Sequence, residues 1–563
     1  MGRATMIAIL FAGLLAARAL PQEHEHAAGE KLGTVHFATS CNRGAQQEFD
    51  RSVALLHSFQ FSGAIEGFNA ALEIDPACGM ANWGIALGQW SNPFVPGMKD
   101  KGQLQAGRDS ADRAEVVGAK TERERAYIDS VARLYRDFEK TPQMARLAAY
   151  RDAMGLLAAK YPDDHEAQIF FALALAASED PADKTYAGRL KAGAILEKLF
   201  ATEPGHPGLA HYIIHTYDVP ALAGRALNAA RRYSEIAPDT PHALHMPSHT
   251  FTRMGYWQDS IDANIAAAAS ARREGQTAEE LHASDYQIYA YLQTGQDAAA
   301  RKIVESLPEI ALRFDPKKVI GGAGGPSAGY FALAAIPARY MLEHQDWKQA
   351  AQLTPRDTPF PYTEAMTWFA RGFAAARLGQ SPSAHESEAA LHQIRERLLQ
   401  ATENYWARQV EIQEVEVAAW AALAEGKKEE ALRQMQSAAE LEDGTDKSAV
   451  TPGPLAPARE LLGEMLLDLH EPAQALQEFE ATLKKEPNRF RALYGAAHAA
   501  QLSGNREASH RYFRDLLKSC DRADKPLRTE LLEARKAVRR GSGRAFTPPV
   551  GGGIPGFVVS PDF

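Results

Sequence analysis

A pair of histidines recurs at a fixed interval in the middle of the chain, and that recurrence limits the folds open to it. His211 and His215 return as His245 and His249, and both steps are 34 residues. A period of 34 is the length of a helix–turn–helix unit, which cannot bury its apolar face alone and stacks on its neighbours as a solenoid. Equivalent places on consecutive units therefore carry the same imidazole pair. The segment 206–282 holds seven histidines: His206, His211, His215, His242, His245, His249 and His282. The 18 histidines of the 563-residue chain predict only about 2.5 in a window of that length. Composition does not account for the cluster, and the spacing points to a site.

Strand signals are scarce and alanine-rich amphipathic runs dominate, so the chain reads as all-α. Repeat signatures stand at both ends. Ala64-Ile65-Glu66-Gly67-Phe68 and Ala71-Leu72-Glu73-Ile74-Asp75-Pro76 read as the second helix of a unit. Leu462-Gly463, Ala475-Leu476, Phe479, Leu483 and Pro487 form another, and a further unit runs through Tyr494, Gly504 and Ala508. Small residues let two helices approach, bulky ones fill the space between, and proline stops the second helix. Units are expected around 161–204, 207–238, 241–275, 281–307, 331–354, 362–395 and 405–441.

These segments resemble tetratricopeptide repeats over nearly the whole chain. More narrowly, His36-Phe37-Ala38-Thr39-Ser40-Cys41, Asp75-Pro76-Ala77-Cys78 and His245-Met246-Pro247-Ser248-His249 resemble segments of a group of exported bacterial tetratricopeptide-repeat proteins of unassigned activity. The resemblance implies a right-handed solenoid whose concave groove, lined by the first helix of each unit, binds ligands or partner peptides. It supplies no catalytic mechanism, so the site has to be argued from its own residues.

Arg3, the apolar run Met6 to Ala17 and the Ala17-Arg18-Ala19 cleavage site read as a signal peptide over 1–19. That run is too short to span a bilayer, and no later stretch reaches 18 apolar residues. The mature chain is expected to be soluble and periplasmic or secreted. An N-terminal repeat with inserted charged helices should fill 20–160, the histidine-rich central units 161–310, and a Gly-rich connector 311–330. C-terminal units should follow over 331–520, then a capping helix over 521–540 and a disordered Gly- and Pro-rich tail over 541–563. Gly321 to Pro326 has no preceding strand and no following Gly-Lys-Ser/Thr, so it reads as a flexible connector rather than a phosphate cradle.

Net charge is −9, and falls to about −11 once Arg3 and Arg18 leave with the signal, which excludes a basic nucleic-acid footprint. Three cysteines are too few for a disulfide scaffold. In an oxidising compartment Cys41 and Cys78 can pair, or all three can remain independent thiols; Cys520 is left over either way.

The turns of the central units, at Ala221, Gly255 and Gly295, give a ruler for the site. Six residues before them stand His215, His249 and Tyr289, and ten before stand His211, His245 and Asp285. Thirteen before stand Gly208, His242 and His282. The resemblance implies that these places face the groove. An i,i+4 histidine pair chelates zinc, copper or iron without unwinding the helix. The expected ligands are His211, His215, His242, His245, His249, His282 and Asp285, with Tyr289 beside them. That set exceeds the four ligands of a tetrahedral ion, leaving one octahedral ion, two ions, or some histidines in supporting roles. The competing reading is a metal-free polar pocket.

No glutamate follows His211 or His245, so the metalloprotease H-E-x-x-H pattern is absent. Arg253 and Arg339 flank the cluster and would favour a small anionic ligand such as a carboxylate, unless Arg339 pairs with a local acid. His36 and His57 are given no role, and His24-Glu25-His26 reads as a polar tail. Two functions follow: an exported scaffold whose groove binds a peptide, protein or small ligand around a transition-metal site, or a metalloenzyme or metal carrier using the same residues.

Overall fold

The computed structural model describes residues 29–95, 99–317 and 321–542. The expected signal peptide, the His24-Glu25-His26 run and the tail from residue 543 onward lie outside them. Among the described residues there is no strand, and helices follow one another from Arg43–His57 to Thr529–Ser542. Each helix packs chiefly on the next in sequence and on the next but one. That is the neighbour-only pattern of a helical repeat solenoid.

The central units are helix pairs: Pro207–Thr216 with Leu227–Ile236, Pro241–Arg253 (broken at Met246) with Trp257–Arg273, and Thr277–Thr294 with Asp297–Arg313. Gly255 and Gly295 turn in the left-handed region, at φ +66° and +65°, where a Cβ would collide with the following carbonyl. The small-against-large packing is clearest at Phe479. A Cβ added at Gly463 or Gly495 would come within 2.9 or 2.4 Å of that ring. At the N-terminus Phe37, Phe49 and Trp83 cluster edge-on or tilted at 5.5 to 6.3 Å. Cys41 and Cys78 form a disulfide there, with α-carbons 5.0 Å apart.

Over the central units the solenoid's groove is covered. The turn before Phe490–Leu502 docks on the central turn at Gly255: Trp257 Nε1 donates to the Asn488 carbonyl at 2.9 Å, and Asn488 Nδ2 donates to the Gly255 carbonyl at 3.2 Å. Phe490 N donates to Gln293 Oε1 at 2.8 Å beside it. The non-helical segment 444–457 lies across the central units, where Tyr286 Oη donates to the carbonyl of Thr451 at 3.1 Å. Arg339 donates to the carbonyls of Gly453 and Pro454, both at 2.9 Å. The Gly-rich connector is docked as well, contrary to the flexible link expected from its composition. Gly321 accepts from Ser62 N at 3.0 Å and Gly324 N donates to Glu279 Oε1 at 2.6 Å.

Candidate metal centre

The helix Pro207–Thr216 carries His211 and His215, and Thr277–Thr294 carries His282, Asp285 and Tyr289. Between them the middle helix is two pieces, Pro241–His245 and Pro247–Arg253, because Pro247 has no N–H to continue the ladder. Met246 keeps helical angles at the joint (φ −55°, ψ −35°), so His242, His245 and His249 stay on one side. All six histidines are buried, from 0% exposed at His211 to 5% at His282. The resemblance implied places facing a ligand-binding groove; here that face is buried. The groove face is covered because distant chain returns over it. Phe59, in the turn after Arg43–His57, sets its ring 4.4 Å from that of His211 and 5.7 Å from that of His242. Phe94 stacks on His215 at 4.3 Å.

The imidazoles fall into two sets. One ring nitrogen from each of His211, His215 and His242 lies within 4.8 Å of the others, and the same holds for His245, His249 and His282. Within the second set the tautomers of His245 and His249 are fixed by their surroundings. His245 Nδ1 is 2.6 Å from Asn264 Oδ1, and the Asn264 amide is oriented by donating through Nδ2 to the Ser260 carbonyl at 2.7 Å. His249 Nδ1 is 2.9 Å from the Asp218 carboxylate. Both partners only accept, so both Nδ1 atoms carry the proton and both Nε2 atoms present lone pairs. Yet His245 Nε2 and His249 Nε2 stand 3.0 Å apart. Two imidazole nitrogens on one tetrahedral ion, each about 2.0–2.1 Å from it, stand about 3.4 Å apart.

The first set repeats part of this arrangement. His211 Nδ1 donates to the His57 carbonyl at 2.6 Å, and its Nε2 lies 3.1 Å from His242 Nε2. His242 Nδ1 faces Glu279 Oε2 at 3.8 Å, and His215 Nε2 is buried with no hydrogen-bond partner.

Electrostatics keep His211, His215, His245, His249 and His282 neutral. Burial, then His242, holds His211 well below the ordinary 6.5. Burial, then His211, does the same for His215, and burial, then His282, for His245. Burial lowers His282 to about 3 against the pull of Glu279, and lowers His249 to about 4 against that of Asp218. Asp218 itself is already served by two cations, Arg253 Nε at 2.9 Å and Lys447 Nζ at 3.1 Å. Burial works against its charge, but Lys447, Arg253 and His249 outweigh it and hold its carboxyl well below the usual range. A third positive charge on His249 would gain little there. Uncharged imidazoles with outward-locked Nδ1 protons are the state in which histidine binds metal.

A third group, His57, Glu166 and His206, also lies within 4.8 Å; both ring nitrogens of His57 and both Glu166 oxygens have partners, while His206 Nδ1 is buried without one. His57 Nε2 donates to Glu166 Oε2 at 2.9 Å and His206 Nε2 donates to Glu166 Oε1 at 3.1 Å, while Tyr212 Oη donates to His57 Nδ1 at 3.0 Å. Donor meets acceptor at each contact. His57 thus has a structural place that the sequence did not assign.

Asp285 does not join the histidines. It pairs with Arg339 Nε at 2.8 Å, both groups being almost fully buried, so its carboxylate is spent on a cation from the next unit. Tyr289 is held by Glu486 and by Arg489 Nη1, the latter at 3.0 Å. Arg253 and Arg339 are both in ion pairs with Asp218 and Asp285, which leaves neither as an open anion receptor. The residues that the repeat ruler missed are Asp218, Asn264 and Glu279. Asp218 follows His215 by three residues and Glu279 precedes His282 by three, so both are adjacent in sequence to predicted ligands. Asn264 lies on the second helix of its unit, which the ruler does not cover.

No protein-family model matches the chain, and none of the curated proteins does. Among solved structures, the human IFIT1 dimer with m7Gppp-AAAA is 13% identical, covering 79% of this chain and 90% of its own, with a TM-score of 0.35. Yeast Tom70 is 12% identical over 89% of this chain and 97% of its own, with a TM-score of 0.31. The TPR domain of P58(IPK) is 13% identical over 68% of this chain and all of its own, with a TM-score of 0.21. The reading of the site rests on the chain's own geometry.

Proposed function

We propose that this protein is an exported repeat scaffold that holds a transition metal (zinc, copper or iron) in a buried histidine centre built from three consecutive units. The observation that carries the reading is the contact between His245 Nε2 and His249 Nε2, 3.0 Å apart with both Nδ1 protons committed to acceptors. Two lone pairs facing each other in a dry interior repel, and a cation between them turns that repulsion into two bonds. Export is supported by the signal-like first 19 residues and by the disulfide between Cys41 and Cys78, a bond of oxidising compartments. No helix among the described residues is long and apolar enough to cross a membrane.

The covering of the groove by Phe59 and the 444–457 segment favours metal holding over peptide capture at the histidines. Partners, whether protein, peptide or small anion, would engage other faces of the scaffold or the metal itself. A catalytic reading has one specific support: each set supplies three nitrogens, one fewer than a closed tetrahedral site, which leaves a position for a small ligand. The test is elemental analysis of the mature protein produced in metal-replete periplasm. The wild type should carry stoichiometric metal, and the double variant His245→Ala/His249→Ala should lose the ion held at that pair while keeping its helicity. A metal-free wild type would sink the reading.

A further inference from the structure

We propose that the centre is dinuclear, with one first-row transition-metal ion in each three-histidine set. This inference rests on the metal-holding reading above and adds to it the number and the placement of the ions.

The argument comes from the repeat itself. The first set takes the histidines ten and six places before the turn of one unit, His211 and His215, and the histidine thirteen before the turn of the next, His242. The second set repeats that construction one unit later, with His245, His249 and His282. A solenoid places each unit on the last by nearly the same rotation and rise, so the same trio of positions produces a corresponding trio of converging nitrogens. The site is copied by the same operation that copies the helices.

The series also ends for a visible reason. The next pair in register would be Asp285 and Tyr289, and these are bound to Arg339 and to Glu486 and Arg489. One unit earlier, the thirteenth place is Gly208, where a Cβ would come within 2.5 Å of His57 Nδ1. The register therefore yields two trios and stops.

A single shared ion does not fit the distances. Nitrogens that bind one ion at about 2.0–2.2 Å lie within about 4.4 Å of one another. Each trio gathers within 4.8 Å, near that limit, whereas the six together do not gather even within 4.8 Å. The trios nevertheless abut: across the divide the His215 and His249 rings are 5.8 Å apart, and those of His242 and His245 5.9 Å. Two ions bound there would be neighbours, each with three imidazoles and a remaining position.

The test is equilibrium dialysis of the full mature chain against Cu(II) and, separately, Zn(II), with ions per chain counted by elemental analysis. Wild type should hold two ions. His211→Ala/His215→Ala and His245→Ala/His249→Ala should each hold one. One ion in wild type and none in either double variant would overturn the dinuclear inference while leaving a histidine metal site intact. No ion in wild type would defeat the metal reading itself. Since a double variant can misfold, wild type loaded with two equivalents of Cu(II) supplies an independent readout. Its electron paramagnetic resonance spectrum should show spin coupling between the two ions, seen as lost intensity or a half-field transition. A spectrum of two isolated copper ions would overturn the proposal.

Discussion

His249 and Asp218 form the hinge of the electrostatic arrangement: one carboxylate oxygen accepts from His249 Nδ1 at 2.9 Å and from Lys447 Nζ at 3.1 Å. The other oxygen takes Arg253 Nε at 2.9 Å. A single aspartate thus fixes a histidine tautomer and ties the 444–457 segment down over the centre. Lys447→Met should therefore loosen the cover without removing a ligand. Metal should be stripped by a chelator several-fold faster than from wild type, with the number of ions bound at saturation unchanged. An unaltered stripping rate would show that the segment does not guard the site.

Asn264 gives the clearest test of the locked tautomer. Its side chain accepts from His245 Nδ1 at 2.6 Å, on the side of the ring turned away from the proposed ion. Asn264→Ala should weaken metal affinity about 10–100-fold, the usual effect of losing an outer partner of a metal-binding histidine. It should also cost about 1–3 kcal/mol of stability through the buried groups left unpaired. Competition against a chromophoric chelator separates the two effects. A loss of stability with unchanged affinity would assign Asn264 to packing alone.

The pH dependence follows from the lowered histidines. An unperturbed imidazole titrates near 6.5, whereas in the fold His249 is brought to about 4 and His282 to about 3. Between these values the unfolded chain binds more protons than the folded one, so unfolding free energy rises with pH there. The contribution is fully present above 6.5 and is lost as pH falls toward 4 and then 3. Denaturation midpoints of the metal-free protein should drop steadily from pH 7 to pH 4. The same shifts weaken proton competition, so metal should be retained to lower pH than by imidazoles of ordinary pKa. A flat profile over pH 7 to 4 would contradict neutral buried rings.

Away from the centre, Gly495 tests the repeat packing. A Cβ there would meet the Phe479 ring at 2.4 Å, so Gly495→Ala should destabilise by about 1–3 kcal/mol. Metal content should not change. Adding Phe479→Leu should recover part of the loss, measured as non-additivity in a double-mutant cycle.

The all-helical repeat fold was legible because its causes are local and periodic: the 34-residue recurrence of His211 and His215, the turn glycines Gly255 and Gly295, and the small residues opposite Phe479. The burial of the site was not legible. It comes from chain that returns over distances with no period, such as Asn488 on Gly255 and the carbonyl of Thr451 over Tyr286. Asp285 had the right register for a ligand, but register cannot reveal that Arg339 on the following unit claims its carboxylate. Asn264 escaped because a core-facing place on a second helix carries no polar signal until its partner, His245, is known. Asp218 stood in plain sight in a turn, and its role became visible only with Arg253 and Lys447 around it.

The central claim is that the facing Nε2 atoms of His245 and His249 are bridged by metal. Anomalous X-ray diffraction from crystals of the mature protein, collected above and below the absorption edge of the metal found in it, tests this directly. The account predicts an anomalous peak between those two nitrogens and near His282, about 2.0–2.2 Å from the ring atoms it binds. A map with no anomalous peak among these histidines, from protein prepared in metal-replete medium, would contradict it.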